Sequence, residues 1–540
     1  MGARECRDFE GLNRGEQAIL PAGIPGLGLV SDKVAMSEIR RTEDSLEMPA
    51  ARRISPAALF AGVAAVVFVA TRFWHLTSYG LFGDEVFTLW TAAQSWPAVF
   101  SSVIEDVVHP PLFYALLKLW IDIGGQSLLW IKLLPVLLSI FSMIPFFLLC
   151  RELKINLMAT GLALWIMAVN SFLIGHSQEP RMYSLLLLLV LLSLWLFVKL
   201  QNSNQKSIRI HFALGGANLL LVFTHYFGWV IVALELVCVL IWRRELMRSF
   251  ALGVLAVAVC FSPWAYLVVM AARANPSRAT FFWNRPPPLS ELVGYYANLN
   301  GPLSYRWKVF GTGVVLVVFL TPIIVKCVRA VKARRAREET SRFWFLILFA
   351  FGPVAIGFAA SHLLPQSVWA FRYLIIAAPA YFLIVAVAAE DLRRTRVGIT
   401  FVFLIAVWAG LSGFTELINR DRVSWEPLVN QMIQAEHDQT NQNEIGGLST
   451  ITVYVADPNI GNTIQFYLDK AGESRIRVAS VENLTSPPGQ HSWVALIRYR
   501  HESEPPLQDS LAESGYRVGD VIEAQASSHT AMLFPVWSTK

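Results

Sequence analysis

The sequence predicts a mostly α-helical, polytopic membrane protein with a small α/β domain at its C-terminal end. Three observations carry that prediction. Hydrophobic residues make up 55% of the chain and charged residues only 16%, against roughly 25% charged in soluble globular chains. The apolar residues gather in runs of roughly 18 to 25, the length that crosses a bilayer as a helix. Beyond residue 416 the chain turns polar and carries strand-like strings, "STITVYVAD" and "HSWVALIRYR", with helical stretches between them.

Residues 1–55 are polar, of mixed charge and punctuated by Gly and Pro, and are expected to form a disordered segment. No apolar core follows a short basic start there, so the segment does not read as a cleavable signal peptide. Eleven spans follow, at 57–76, 127–149, 155–175, 182–200, 209–223, 226–242, 249–271, 307–328, 342–361, 373–390 and 397–415. A further apolar stretch at 110–123 is too short to cross comfortably and is expected to lie in the interface or to re-enter. The 18 tryptophans and 34 phenylalanines suit a chain with two membrane–water interfaces.

Charge orients the spans. Clusters of Lys and Arg flank the cytoplasmic ends of membrane helices. Here Arg52 and Arg53 precede the first span, Arg151 and Lys154 follow the second, and Lys199, Lys206 and Arg209 follow the fourth. Arg243, Arg244 and Arg248 follow the sixth, a run from Lys326 to Arg337 follows the eighth, and Arg393, Arg394 and Arg396 follow the tenth. All fall on one side only if 110–123 does not cross. The N-terminus is then cytoplasmic and the segment 416–540 is extracytoplasmic. Because the basic residues sit in short loops between apolar runs, nucleic-acid binding is a poor reading of the net charge of +6. The five cysteines include none after Cys327, so the external domain has no disulfide framework, and no CxxC or Cys/His cluster suggests structural zinc.

The expected external connections contain the residues that could carry chemistry. "GDEVFTLW" (83–90) sets Asp84 beside Glu85. Such a pair reads either as solvated loop acids or, for Asp84, as a general base for an acceptor hydroxyl. "HPPLFYALLKLW" (109–120) opens with two prolines, which suits a first helical turn and places His109 just before it. In "HSQEPRMYS" (176–184) Glu179 and Arg181 occupy a very short connection. They either pair with each other, or Glu179 joins Asp84 around a metal or a developing charge while Arg181 meets a phosphate. "THYFG" (224–228) brings His225 to another tight turn, and "FRYL" (371–374) puts Arg372 where the tenth span begins. Arg372 reads as an interfacial anchor or as a phosphate clamp, which guanidinium geometry suits. Collected on one side of a membrane, these acids, arginines and histidines are what transfer from a phosphate-linked donor needs: a base for the acceptor and cations for the leaving phosphate.

These strings resemble the membrane glycosyltransferases of the GT-C fold class, in the branch holding the protein O-mannosyltransferase-like, RgtA/B/C/D-like and aminoarabinose transferase-like proteins. The matching pieces are "GDEVFTLW", "HPPLFYALLKLW", "SQEPRMYSLLLLL", "THYFG" and "FRYLIIAAPAYFL", in the family's order, over roughly residues 57–415. The resemblance implies a GT-C-like transmembrane domain over 56–415, with interfacial helices in the first external loop. It also implies an inverting transfer from a polyprenyl-phosphate sugar to a hydroxyl of a lipid, glycan or protein at the outer face of the membrane. Asp84 matches the signature acid and Glu85 the second acid of the pair, and both are expected to be catalytic. Glu179 matches an acid that helps bind a divalent metal in some members, together with Asp84, while others need none. His109, Arg181, His225 and Arg372 match positions near the donor. Tyr183 and Tyr373, the next residues in "RMY" and "RYL", join them as expected substrate-binding residues. A bacterial cytoplasmic membrane is the expected location. The alternative is a transporter or flippase of a lipid-linked saccharide. It would need polar groups near the bilayer midplane, where Glu235 is the main charged residue inside a span.

Overall fold

The computed structural model describes residues 55–203, 207–274, 286–301, 308–332, 337–393, 395–418, 422–442, 451–483, 491–499, 511, 515–526 and 529–538. The expected disordered segment 1–55 falls, through residue 54, outside the described residues, as do Arg52, Arg53, Lys206, Arg334, Arg335 and Arg394.

The chain opens with α1 (Pro56–Phe73), followed by three short helices, α2 (Asp84–Ala93), α3 (Trp96–Asp106) and α4 (Leu112–Gly124). Next come α5 (Leu128–Phe141) and α6 (Met143–Glu152), which together form one membrane-length run. The pair α7 (Leu157–Val169) and α8 (Ser171–Ser177) is bent by 63°. Then follow α9 (Tyr183–Asn202), α10 (Ile208–Thr224), α11 (Gly228–Trp242), α12 (Met247–Ala274), α13 (Ser290–Leu299), α14 (Lys308–Lys332) and α15 (Arg337–Leu363). A 3₁₀ stretch, Phe371–Ala377, leads into α16 (Ala378–Leu392), and α17 (Arg396–Ile418) ends the series.

Among the described residues, eight helical runs are long and apolar enough to cross a membrane, and the bent pair makes a ninth. The apolar helices α10 and α11, of 17 and 15 residues, stand at the two remaining expected positions. The chain is an integral membrane protein. Helices suit that environment because they satisfy every backbone polar group within one segment. Helices α9 and α16 are apolar on all sides and almost wholly buried, so they form the middle of the bundle. Large apolar side chains of α1, α12 and α17 stay exposed, as lipid-facing helices require.

Two local features differ from a plain reading of hydropathy. The expected span 155–175 breaks at Asn170, whose side chain accepts from Leu173 N–H at 3.0 Å and starts α8 afresh. Such a break frees carbonyls at the end of α7. The buried Arg72 donates to Met167 O and Ala168 O at 2.9 and 2.7 Å, and Thr71 Oγ1 adds a bond to Ala168 O at 2.8 Å. A cation there also matches the negative end of the helix dipole. The stretch 110–123 forms α4, outside the set of membrane-length helices as its length predicts. It is pinned to α5 by Trp120 and Trp130, which stack 4.3 Å apart and each donate to the other's carbonyl oxygen at 2.8 Å.

Beyond α17 lies the α/β region. Helix α18 (Trp425–Gln442) precedes β1 (Ile451–Val455), α19 (Pro458–Ala471), β2 (Ile476–Ser480), β3 (His491–Tyr499), β4 (Tyr516–Val518), β5 (Ile522–Gln525) and β6 (His529–Ser538). The sheet order is β2-β1-β3-β6-β4, with β5 also on β6. Strand β1 pairs in parallel with β2 and β3, and β6 runs antiparallel to β3. Trp425, Val453, Ile464, Leu468, Trp493 and Leu533 fill the space between helices and sheet. Glu436 of α18 accepts from Trp493 Nε1 and contacts His491 Nε2, tying that helix to β3.

Candidate active site

Asp84 and Glu85 are the first two residues of α2, and their side chains go different ways. Asp84 Oδ2 lies 3.0 Å from Arg372 Nη1 and 3.6 Å from Arg181 Nη2. Glu85 is buried. Its Oε2 accepts from Phe82 N–H at 3.1 Å, and its Oε1 lies 3.3 Å from Arg422 Nη2. Glu85, expected to be catalytic with Asp84, is the more buried of the two acids, its side chain 4% exposed against 39%.

Arg181 is held on several sides. It donates from Nη1 to Asp84 O at 3.1 Å and to Thr88 Oγ1 at 2.6 Å, and Nη2 lies 3.4 Å from His109 Nε2. Thr88 in turn donates to Asp84 O at 2.7 Å. The bend between α7 and α8 brings the connection carrying Glu179 and Arg181 over the start of α2. Glu179 takes Arg422 Nη2 at 2.8 Å on one oxygen and His176 Nδ1 at 2.7 Å on the other. The carboxylate that Arg181 faces, at 3.6 Å, is that of Asp84.

The remaining expected residues complete one cluster. His109, just before α4, lies 3.4 Å from Asp106 through Nδ1. Its ring is 5.9 Å from that of His225 and 6.5 Å from that of Tyr373, and His225 and Tyr373 are 4.7 Å apart. His225 Nδ1 accepts from Phe227 N–H at 3.1 Å, which leaves the proton of the neutral ring on Nε2. That nitrogen is buried without a hydrogen-bond partner, and so is the hydroxyl of Tyr183. Buried polar groups are normally satisfied; Arg181 Nε in the same cluster is likewise buried without a partner.

Electrostatics follow from this packing. Burial pushes the Asp84 carboxyl up, but Arg181 and Arg372, with His109 behind them, outweigh it and hold the group below the usual carboxylate range. Burial lowers His109, and Arg181 works in the same direction against Asp106. His225 is driven well down by burial and by its cationic neighbours, so both imidazoles are neutral near neutral pH. Arg181 keeps its charge: burial opposes it, and Asp84 more than compensates. Exposure decides which charges a substrate can reach. The side chains of Asp84 and Arg372 are 39% and 45% exposed, whereas that of Arg181 is 4% exposed.

Among the described residues, no group of three or more His, Cys, Asp and Glu side chains could hold a metal ion. Asp84 faces two arginines and Glu179 faces Arg422 and His176. Each acid already has a cationic guanidinium against it, a donor set that does not fit a divalent cation.

Two participants escaped the sequence. Thr88 stands one helical turn after Asp84 within "GDEVFTLW", so helical spacing could have found it. Arg422 lies in the polar tail just past α17, and nothing in its sequence neighbourhood marks it. The tail also closes over the acidic loop: Gly83 N–H donates to Thr463 Oγ1 at 2.8 Å, and Tyr467 OH donates to Leu81 O at 3.1 Å. Gly83 has φ +50°, and a Cβ there would sit 3.2 Å from Asn459 Cβ. Both the backbone and the close approach of α19 thus favour glycine.

No protein-family model matches the chain, and no curated protein matches it by sequence. Solved structures do. ArnT from Cupriavidus metallidurans bound to undecaprenyl phosphate aligns with 88% of this chain and 97% of its own, at a TM-score of 0.51 and 15% identity. The apo state of the same protein aligns over the same shares at 0.44 and 14%. Arabinofuranosyltransferase AftD from Mycobacteria aligns with 88% of this chain and 40% of its own, at 0.45 and 14%. The first of these matches shows that the chain has the GT-C fold.

Proposed function

We propose that the chain is an inverting glycosyltransferase that moves a sugar from a polyprenyl-phosphate carrier to a hydroxyl of a lipid, glycan or protein at the outer face of a membrane. The observation that carries this reading is the Asp84–Arg372 pair, the reachable edge of an otherwise buried polar network. A carboxylate beside a guanidinium offers a proton acceptor and a phosphate binder within one contact. A GT-C fold shared with a protein solved with undecaprenyl phosphate bound supports a lipid-linked donor.

In this mechanism the donor phosphate binds Arg372, whose planar fork suits two phosphate oxygens. Sharing that guanidinium weakens its hold on Asp84 and raises the basicity of the carboxylate at the moment it is needed. Arg181 stays against Asp84 and fixes its position. The acceptor oxygen attacks the anomeric carbon from the face opposite the phosphate, and its proton passes to Asp84. The bond from that carbon to the phosphate oxygen breaks, its electron pair stays on oxygen, and polyprenyl phosphate leaves. His225 Nε2–H and the Tyr183 hydroxyl are the donors proposed to meet the sugar or the leaving phosphate. The rival transport reading draws nothing from Glu235, which is buried between Ser193 Oγ at 2.7 Å and Asn218 Nδ2 at 2.8 Å and joins three helices.

The test uses the full chain in lipid with radiolabelled polyprenyl-phosphate hexose and an envelope extract as acceptor, comparing wild type with Asp84→Asn. General-base removal costs roughly 10²- to 10⁴-fold. Label transferred by the wild type and lost in the variant is the expected result. Equal transfer by both removes Asp84 from the chemistry, and movement of intact lipid without transfer by either favours transport.

A further inference from the structure

Glu85 and Glu179 come from different connections, one opening α2 and the other leading into α9. A single nitrogen, Nη2 of Arg422, lies 3.3 Å from Glu85 Oε1 and 2.8 Å from Glu179 Oε1. Both acids are further fixed: Glu85 by Phe82 N–H and Glu179 by His176. Two carboxylates brought this close repel each other unless a cation sits between them. Each lies within two residues of a working group. Glu85 follows Asp84, and Glu179 lies two residues before Arg181. Whatever joins Glu85 to Glu179 therefore also sets how Asp84 faces Arg181, 3.6 Å away.

We propose that Arg422 is the built-in cation of this site, a positioning residue that bridges Glu85 and Glu179 where a divalent metal ion would otherwise be needed, and that the α/β region thereby completes the catalytic end of the membrane domain. The bonds from Gly83 to Thr463 and from Tyr467 to Leu81 hold the same loop against the same region. Arg422 meets Glu85 and Glu179, whereas Asp84 faces Arg372 and Arg181, so the contribution of Arg422 is geometric. The positional claim stands on the ion pairs alone; its catalytic consequence rests on the transferase reading above.

The experiment compares wild type, Arg422→Ala and the triple variant Glu85→Gln/Glu179→Gln/Arg422→Ala, as full chains in lipid nanodiscs. Thermal unfolding and Mn²⁺ binding by electron paramagnetic resonance are measured with and without a chelator, and sugar transfer alongside. Wild type is expected to bind no Mn²⁺ at this site and to transfer sugar equally well in chelator. Arg422→Ala is expected to unfold at lower temperature and to gain a Mn²⁺ site absent from wild type. It should also lose transfer by roughly 10- to 100-fold, the range for groups that orient site residues, with part of it restored by Mn²⁺. The triple variant, with no acids left to repel, should recover stability and bind no Mn²⁺, which keeps the test informative if the single variant folds poorly. Wild-type transfer abolished by chelator, or an Arg422→Ala protein that neither gains Mn²⁺ nor loses stability, overturns the proposal. If no variant transfers any sugar, the transferase reading fails, while the unfolding and Mn²⁺ measurements still decide the role of Arg422.

Discussion

Removing Arg372 separates the two functions its guanidinium could have. If it only anchors the interface, Arg372→Ala should affect little beyond a surface ion pair. Its partner Asp84 is 39% exposed and Arg372 itself 45% exposed, so solvent screens the pair and its loss costs about 0–1 kcal/mol of stability. If it binds the departing phosphate, the variant loses a charge aimed at the transition state. Such losses run to about 2.7–4 kcal/mol, or 10²- to 10³-fold in rate. The two magnitudes are far enough apart to be told from one experiment. The assay is kcat/KM for a labelled polyprenyl-phosphate hexose in nanodiscs, with a melting curve on the same preparation. The expected result is a melting temperature close to wild type with transfer reduced by about two to three decades. Arg372→Lys should fall between, because an ammonium retains the charge but not the two-pronged geometry. Transfer by Arg372→Ala within about tenfold of wild type, a barrier change under ~1.4 kcal/mol, would refute the phosphate role and leave an anchor.

Further outcomes follow from the same geometry. His225→Phe removes a buried Nε2–H that has no protein partner, but also Nδ1, which accepts from Phe227 N–H at 3.1 Å; the relieved donor and the newly orphaned amide, each about 1–3 kcal/mol, largely offset, so it should melt close to wild type yet transfer more slowly, which melting and steady-state rates check together. The pH profile of kcat/KM reports the free enzyme. Because Arg181 and Arg372 hold Asp84 below the usual carboxylate range against its burial, the base stays ionised as pH falls, and activity should be lost only on passing through that lowered value. In Arg372→Ala one of those cations is gone, so the acid limb of whatever activity remains should move to higher pH; an unmoved limb would assign it to another group.

Much of the membrane domain could be read in advance because lipid permits few solutions. A run of apolar residues in hydrocarbon must be a helix; the eleven expected positions all carry apolar helices, and 110–123 remains short. The α/β character of the tail was visible in "STITVYVAD" and "HSWVALIRYR", which form β1 and β3. The break at Asn170 was not visible. Hydropathy counts side chains, whereas the break depends on Arg72 and Thr71 supplying bonds to carbonyls nearly a hundred residues away.

At the site, the sequence by itself determined which connections carry acids, arginines and histidines, since short loops between apolar runs leave polar residues only one place to be. Only the tertiary structure decided their partners. Asp84 faces Arg372 and Arg181, Glu85 turns to Arg422, and Glu179 pairs with Arg422 and His176. The physical reason is that hydropathy and charge patterns are local sums along the chain, while an ion pair depends on a distance of a few ångströms between side chains. Here that distance is set by helices α2 and α9 and by a tail residue 337 positions from Glu85.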